Sequence, residues 1–115
     1  DCRRCDEGWR YRVIRSYVVS KGAAADLRDI TRYTVANWGE AQCRIYIADL
    51  EKAAEAVAKG EGVFKDMSSL LPGLRMASCG KHSIFRMPQT GAPSVILAIL
   101  HERMDLMARL KSRLR

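Results

Sequence analysis

No stretch of this chain approaches the ~18–20 consecutive apolar positions that a membrane-crossing helix needs. The longest apolar run, Val95 to Leu100, has the length of a buried strand. Asp1 to Ser20 carries five arginines and no long apolar block, so it does not read as a secretory leader. Proline and glycine are sparse, and neither an internal repeat nor a low-complexity tract is present. Only one C-x-x-C occurs, at Cys2 and Cys5. With no second pair and no nearby histidines, a four-ligand zinc site is not completed. Cys43 and Cys79 stand apart from it, and the simplest reading is a reduced, cytoplasmic protein. His101-Glu102-x-x-Asp105 has aspartate where the H-E-x-x-H zinc protease pattern needs its second histidine. The expectation is therefore no metal, no cofactor and no membrane contact.

What is present is an ordinary globular composition, 48% apolar and 29% charged, in 115 residues. That length suits one domain with a real core. Residues 1–16 read as an N-terminal extension or strand leader, where Trp9, Tyr11 and Val13 alternate. Residues 17–115 read as the domain. The net charge of +7 lies outside residues 21–59, where basic and acidic side chains balance. A small basic protein favours acidic partners, either nucleic acid or an acidic protein segment, and charge alone does not separate the two.

The periodicity predicts a first strand over Arg15 to Ser20. A helix over Ala23 to Trp38 follows, with Leu27, Ile30, Thr34 and Trp38 as its buried stripe. Asp26 and Asp29 fall near its start, where the helix dipole favours acids, and Gly39 supplies the stop. A second helix spans Glu40 to Lys59, its stripe formed by Cys43, Tyr46 or Ile47, Leu50, Ala53 or Ala54, and Val57. The short connection makes the two an antiparallel hairpin. Glu61 to Gly73 reads as a loop that tucks Val63, Phe64, Leu70 and Leu71 onto the core. Leu74 to Cys79 and His82 to Met87 form a hairpin about Gly80-Lys81. Pro88 to Pro93 is a turn. Ser94 to Leu100 is the central strand, apolar on both faces because both are covered. Glu102 to Arg115 reads as a short amphipathic helix with Met104, Met107, Leu110 and Leu114 as its apolar stripe.

The fold class is α+β: a helical hairpin on a small, mainly antiparallel four-stranded sheet, ordered β-α-α-β-β-β with a C-terminal helix. Polar residues gather around the sheet at Arg75, Lys81, His82, Arg86, His101 and Arg103. Such a face can grip RNA phosphates, and can cleave RNA without metal if a base reaches the 2′-hydroxyl and a cation steadies the phosphorane. The plainer reading is a solvated sheet face with ordinary salt bridges. His101 at a strand end also suits a corner that folds the last helix back.

The ordered motifs resemble the ParE branch of the RelE/ParE toxin superfamily. The residues that carry the likeness are Tyr17-Val18-Val19-Ser20, Ala25-Asp26-Leu27-Arg28-Asp29-Ile30, Tyr33-Thr34, Trp38-Gly39, Ala41-Gln42 and Tyr46-Ile47-Ala48-Asp49-Leu50. Gly73-Leu74-Arg75 and Lys81-His82-Ser83-Ile84-Phe85-Arg86 continue it, and Ile99-Leu100-His101-Glu102-Arg103-Met104-Asp105 with Leu110 behind is the most specific piece. The resemblance implies the toxin of a type II toxin–antitoxin module. Such a toxin inhibits DNA gyrase, holds its DNA cleaved and stops replication. It implies neutralisation by a ParD-like antitoxin, in a toxin–antitoxin hetero-oligomer, and a non-enzyme that acts by binding. On that reading Lys81, Arg86, Arg103, Met104, Met107, Arg109 and Leu110 contact partners, while His101 and Asp105 organise the strand-to-helix corner. The antitoxin would cover apolar residues left open between helical hairpin and sheet. RelE relatives instead cut messenger RNA on the ribosome; for that alternative the candidates are Arg75, Arg86 and His101. Two departures stand out. Residues 1–16 have no family counterpart, and no tyrosine follows His82.

Overall fold

The structure, a computed structural model, describes residues 17–113. The expected leader, the C-x-x-C, Leu114 and Arg115 lie outside the described residues. β1 (Tyr17–Val19) leads into α1 (Lys21–Trp38) and α2 (Glu40–Lys59). Then come β2 (Lys65–Asp66), β3 (Arg75–Cys79), β4 (His82–Gln89), β5 (Ala92–His101) and α3 (Leu106–Arg113).

The sheet has five strands in the order β1-β5-β4-β3-β2 and is mixed, because β1 runs parallel to β5. The expected four strands are corrected to five; three of the four described pairings are antiparallel, and β1–β5 adds a parallel one. β2 is only two exposed residues, too short for any period to register, and exists because Lys65 and Asp66 pair with Met76 and Arg75. The middle position belongs to β4, not to the strand expected to be central. β5 is still apolar on both faces for the anticipated reason. Ile96 and Ile99 pack with the helical hairpin, through Ile30, Leu50 and Val57. Ala98 and Leu100 pack on the other side with Leu74, Phe85 and Leu110 of α3. Burying each such aliphatic side chain is worth about 1.5–3 kcal/mol.

Local chemistry explains most boundaries. The Ser20 hydroxyl accepts the Ala23 N–H at 3.1 Å and caps α1, so this helix starts two residues earlier than expected. Gly39, at φ 89° and ψ 167°, occupies backbone space nearly closed to other residues and reverses the chain between the helices. It is not the left-handed cap expected there. α1 has no acid in its first turn; Asp26 serves a tertiary contact instead of the dipole. Trp38 does not complete the buried stripe: it is 70% exposed.

The expected turn at Pro88 to Pro93 shrinks to Thr90-Gly91, with both prolines inside strands. Pro88 sits where the β4–β5 register slips between Met87 and Gln89, which fits a residue with no ladder N–H. Val63 does not tuck onto the core; it is 95% exposed, and Leu70 is also exposed. Phe64, Met67 and Leu71 are the loop residues that pack. The last helix begins at Leu106, after a turn, and buries Leu106 and Leu110 rather than a methionine stripe. Met104 and Met107 are exposed.

Candidate functional site

One end of the sheet gathers chemistry from four elements. The antiparallel registers place Cys79 opposite His82 and His82 opposite His101. The two imidazoles meet edge to face, with centroids 5.2 Å apart. Tyr46 reaches them from α2, its hydroxyl 2.5 Å from His82 Nδ1 and 3.2 Å from the Cys79 carbonyl. A carbonyl can only accept, so both contacts form at once when the phenol proton goes to Cys79 O and His82 Nδ1–H donates to Tyr46. His101 Nδ1 instead accepts the Arg103 N–H at 3.0 Å. Burial pushes the Tyr46 phenol up from its ordinary range. Burial, and then the neighbouring His101, push His82 below 6.5.

Gly80 permits this packing. A Cβ there would lie 2.7 Å from the Tyr46 ring, and its φ of +57° is left-handed. The Gly80-Lys81 turn is tied to the end of β5 by the Glu102 N–H, which donates to Lys81 O at 2.8 Å.

These residues floor an open groove of about 880 Å³ between α1 and the sheet end. The α1 wall carries Asp29, Ile30, Tyr33 and Trp38; the opposite rim carries Lys81, Arg103 and Met104. Tyr33 is 65% and Trp38 70% exposed, so two large aromatic side chains line the same groove as two exposed cations.

The remaining expected site residues are distributed otherwise. Arg75 and Arg86 face each other across β3 and β4, at the far end from His101. His101 pairs with a residue four positions from Arg86 along β4, on the order of 13 Å at strand spacing. Arg75 donates to the Val57 carbonyl at 3.2 Å near the C-terminus of α2 and lies 4.9 Å from the Phe64 ring centre. Arg86 donates to Ser94 Oγ at 2.9 Å and to Gly73 O at 3.1 Å. Burial, then Arg75, lower the Arg86 pKa. Arg75, Arg86 and His101 are therefore not brought together. Leu110, expected at a partner surface, is fully buried in the core. Met107 and Arg109 are exposed on α3, away from the groove lining. At the corner, His101 O accepts the Met104 N–H at 3.0 Å and Asp105 Oδ1 accepts the Ala108 N–H at 3.2 Å.

The helical period offered Tyr46 or Ile47 as one stripe position and placed Trp38 in the core stripe of α1. Counting outward from the Thr90-Gly91 turn would pair His82 with Ile99; the two register shifts between β4 and β5 bring it opposite His101 instead. Nothing local announced that Asp26 on α1 binds Arg113 on α3 in a two-bond ion pair, at 2.7 and 3.0 Å.

A family model described as the ParE toxin of the type II toxin–antitoxin system parDE matches residues 17–106. The chain belongs to the ParE toxin family. It is 55% identical over 100 residues to Toxin ParE of Escherichia coli, covering 87% of this chain and 97% of that toxin. It is 31% identical over 97 residues to Toxin ParE1 of Caulobacter vibrioides, covering 84% of this chain and 99% of the relative. A solved structure titled "Chromosomal ParDE TA system from P. aeruginosa" shares the fold, with a TM-score of 0.56 at 22% identity, over 74% of this chain and 92% of that one. The ParE match spans every groove residue from Asp26 to Met104 and ends at the first residue of α3. Among the described residues of this ParE-family toxin no group of three or more His, Cys, Asp or Glu could hold a metal ion. No described helix is long and apolar enough to cross a membrane.

Proposed function

We propose that this ParE-family toxin acts in the cytoplasm by binding, inhibiting DNA gyrase and thereby replication, and that a ParD-like antitoxin neutralises it in a hetero-oligomer. The observation that carries the reading is the groove: exposed Tyr33, Trp38 and Met104 line it together with Lys81 and Arg103 on a +7 chain. An acidic, partly disordered antitoxin segment would gain apolar burial and charge pairing there, offsetting its ordering cost. Gyrase supplies the DNA chemistry; the toxin needs only a higher affinity for the cleaved complex than for the uncleaved one. Lys81, Arg86, Arg103, Met104, Met107 and Arg109 are the proposed partner residues. Of these, Arg86 is the most engaged within the fold.

The test is a supercoiling assay with purified gyrase, with and without antitoxin. The expected result is inhibition with accumulation of cleaved DNA, relieved by antitoxin. Full supercoiling at saturating toxin, with ribosomal toeprints on translated messenger, would support the RelE-like ribonuclease instead. Separation of Arg75 and Arg86 from His101 weighs against that alternative. Replacing Arg103 and Arg109 together by alanine is expected to weaken growth arrest several-fold with the circular dichroism spectrum unchanged. Undiminished arrest removes both from the active surface.

A further inference from the structure

The groove's two imidazoles are wired differently, and that difference decides which hydrogen bonds survive a proton added at each. His82 Nδ1–H already donates to Tyr46, whose own proton goes to Cys79 O. A second proton on His82 Nε2 therefore breaks no hydrogen bond. His101 Nδ1 accepts the Arg103 N–H, so protonating that nitrogen sacrifices the contact that shapes the turn. Uptake at His82 Nε2 therefore leaves the local hydrogen bonds intact.

Its surroundings define what would drive that gain. Asp26 and Asp29 of α1 line the groove, and Asp26 is matched by Arg113. From α2 come Tyr46 and, further off, Asp49; β3 contributes Cys79. Across the groove stand Lys81, His101 and Arg103, with Glu102, outside the lining, near enough to act on His82. Burial and His101 oppose charge on His82, while Asp26 and Glu102 favour it. The cations Lys81 and Arg103 sit at one rim only, and acids line the α1 wall. A continuous phosphate backbone would run against Asp29; a single carboxylate between Lys81 and Arg103 would not.

We propose that the Lys81–His82–Arg103 end of the groove is a carboxylate-reading subsite for an acidic side chain of the antitoxin segment, and that His82 takes up a proton from solvent as that carboxylate docks. The subsite rests on the antitoxin reading above. An apolar side chain of the same segment lies against Tyr33, Trp38 and Met104, which fixes the class of partner: an acidic residue beside an aromatic or aliphatic anchor.

The test follows the His82 Cε1–H resonance against pH in the full toxin. It is recorded free, bound to a ParD-type antitoxin, with a capped synthetic peptide alternating Glu and Leu, and with oligothymidylate. Calorimetry in two buffers of different ionisation enthalpy counts protons. Antitoxin is expected to raise the His82 midpoint by on the order of one unit, as an adjacent carboxylate does. Affinity then rises several-fold from pH 8 to pH 6, about tenfold being the limit for such a shift. Proton uptake disappears in His82→Gln. Tyr46→Phe, which removes the acceptor of Nδ1–H but keeps the imidazole, gives a smaller shift. Antitoxin binding with an unmoved His82 midpoint, or uptake that survives His82→Gln, overturns the subsite. Antitoxin that fails to bind at any pH, while the peptide moves His82, overturns the antitoxin reading alone. If neither moves it, both are overturned. A midpoint raised by oligothymidylate and not by peptide overturns the carboxylate assignment.

Discussion

The C-terminal helix is held to the first helix by one ion pair, and its removal should be measurable. Arg113 binds Asp26 through Nη2 at 2.7 Å and Nη1 at 3.0 Å, and Nη1 also donates to the Leu97 carbonyl at 3.2 Å. Asp26 Oδ2 in turn accepts the Ile99 N–H at 3.0 Å. β1 ends at Val19 and pairs with β5 only up to Ile96. Beyond that point these side chains, with Ser20 on Leu97 O, satisfy the open edge of β5. The side chains are 30% and 13% exposed, between the surface case worth ~0–1 kcal/mol and the buried case that costs ~3–5 kcal/mol to break. Arg113→Ala should cost about 2 kcal/mol, the loss of two charge-assisted bonds partly replaced by water. Asp26→Ala should cost about 3 kcal/mol, because it also strips the acceptor from Ile99 N–H. The double variant should show a coupling of about 1–2 kcal/mol.

Urea unfolding followed by circular dichroism measures these losses. At an m-value of ~1–2 kcal/mol/M, Arg113→Ala moves the midpoint by about 1–2 M. Gly22→Ala offers a charge-neutral check, since its Cβ would lie 2.6 Å from Arg113 Nη1 and push the guanidinium away. Hydrogen exchange should quicken in α3 more than in α1 or α2. An Arg113→Ala loss under about 0.5 kcal/mol, within the range of surface substitutions, would refute the latch. So would strictly additive single variants.

Gly80→Ala should destabilise by about 1–3 kcal/mol, combining left-handed backbone strain with a clash on Tyr46; denaturant midpoints check it. His82 titrates below 6.5 in the folded chain, so the fold favours its neutral form. That contribution is complete above about pH 6.5 and is lost as pH falls through the lowered folded value. The melting temperature of the free toxin should therefore fall between pH 7 and pH 5 less steeply in His82→Asn than in the wild type. Equal slopes would remove His82 from the acid response.

The sequence by itself determined the elements whose cause is local. α2 spans the predicted Glu40 to Lys59 because its apolar stripe and flanking glycines act within a few residues. The β3–β4 hairpin follows from Gly80-Lys81 between two alternating runs. The ordered motifs from Tyr17 to Asp105 carried the family for the same reason: they are read in chain order. Tertiary structure alone decided what depends on distant neighbours. β2 is a strand only because β3 offers it an edge, and β1 is parallel only because β5 lies beside it. Trp38 has the spacing of a core residue, yet among the described residues it stays 70% exposed and forms a groove wall. Arg86 read as a surface cation, but Ser94 and Gly73, both remote in sequence, take its guanidinium. Helical period fixes which side chains share a face; whether that face meets protein or solvent is set by elements folded against it from elsewhere in the chain.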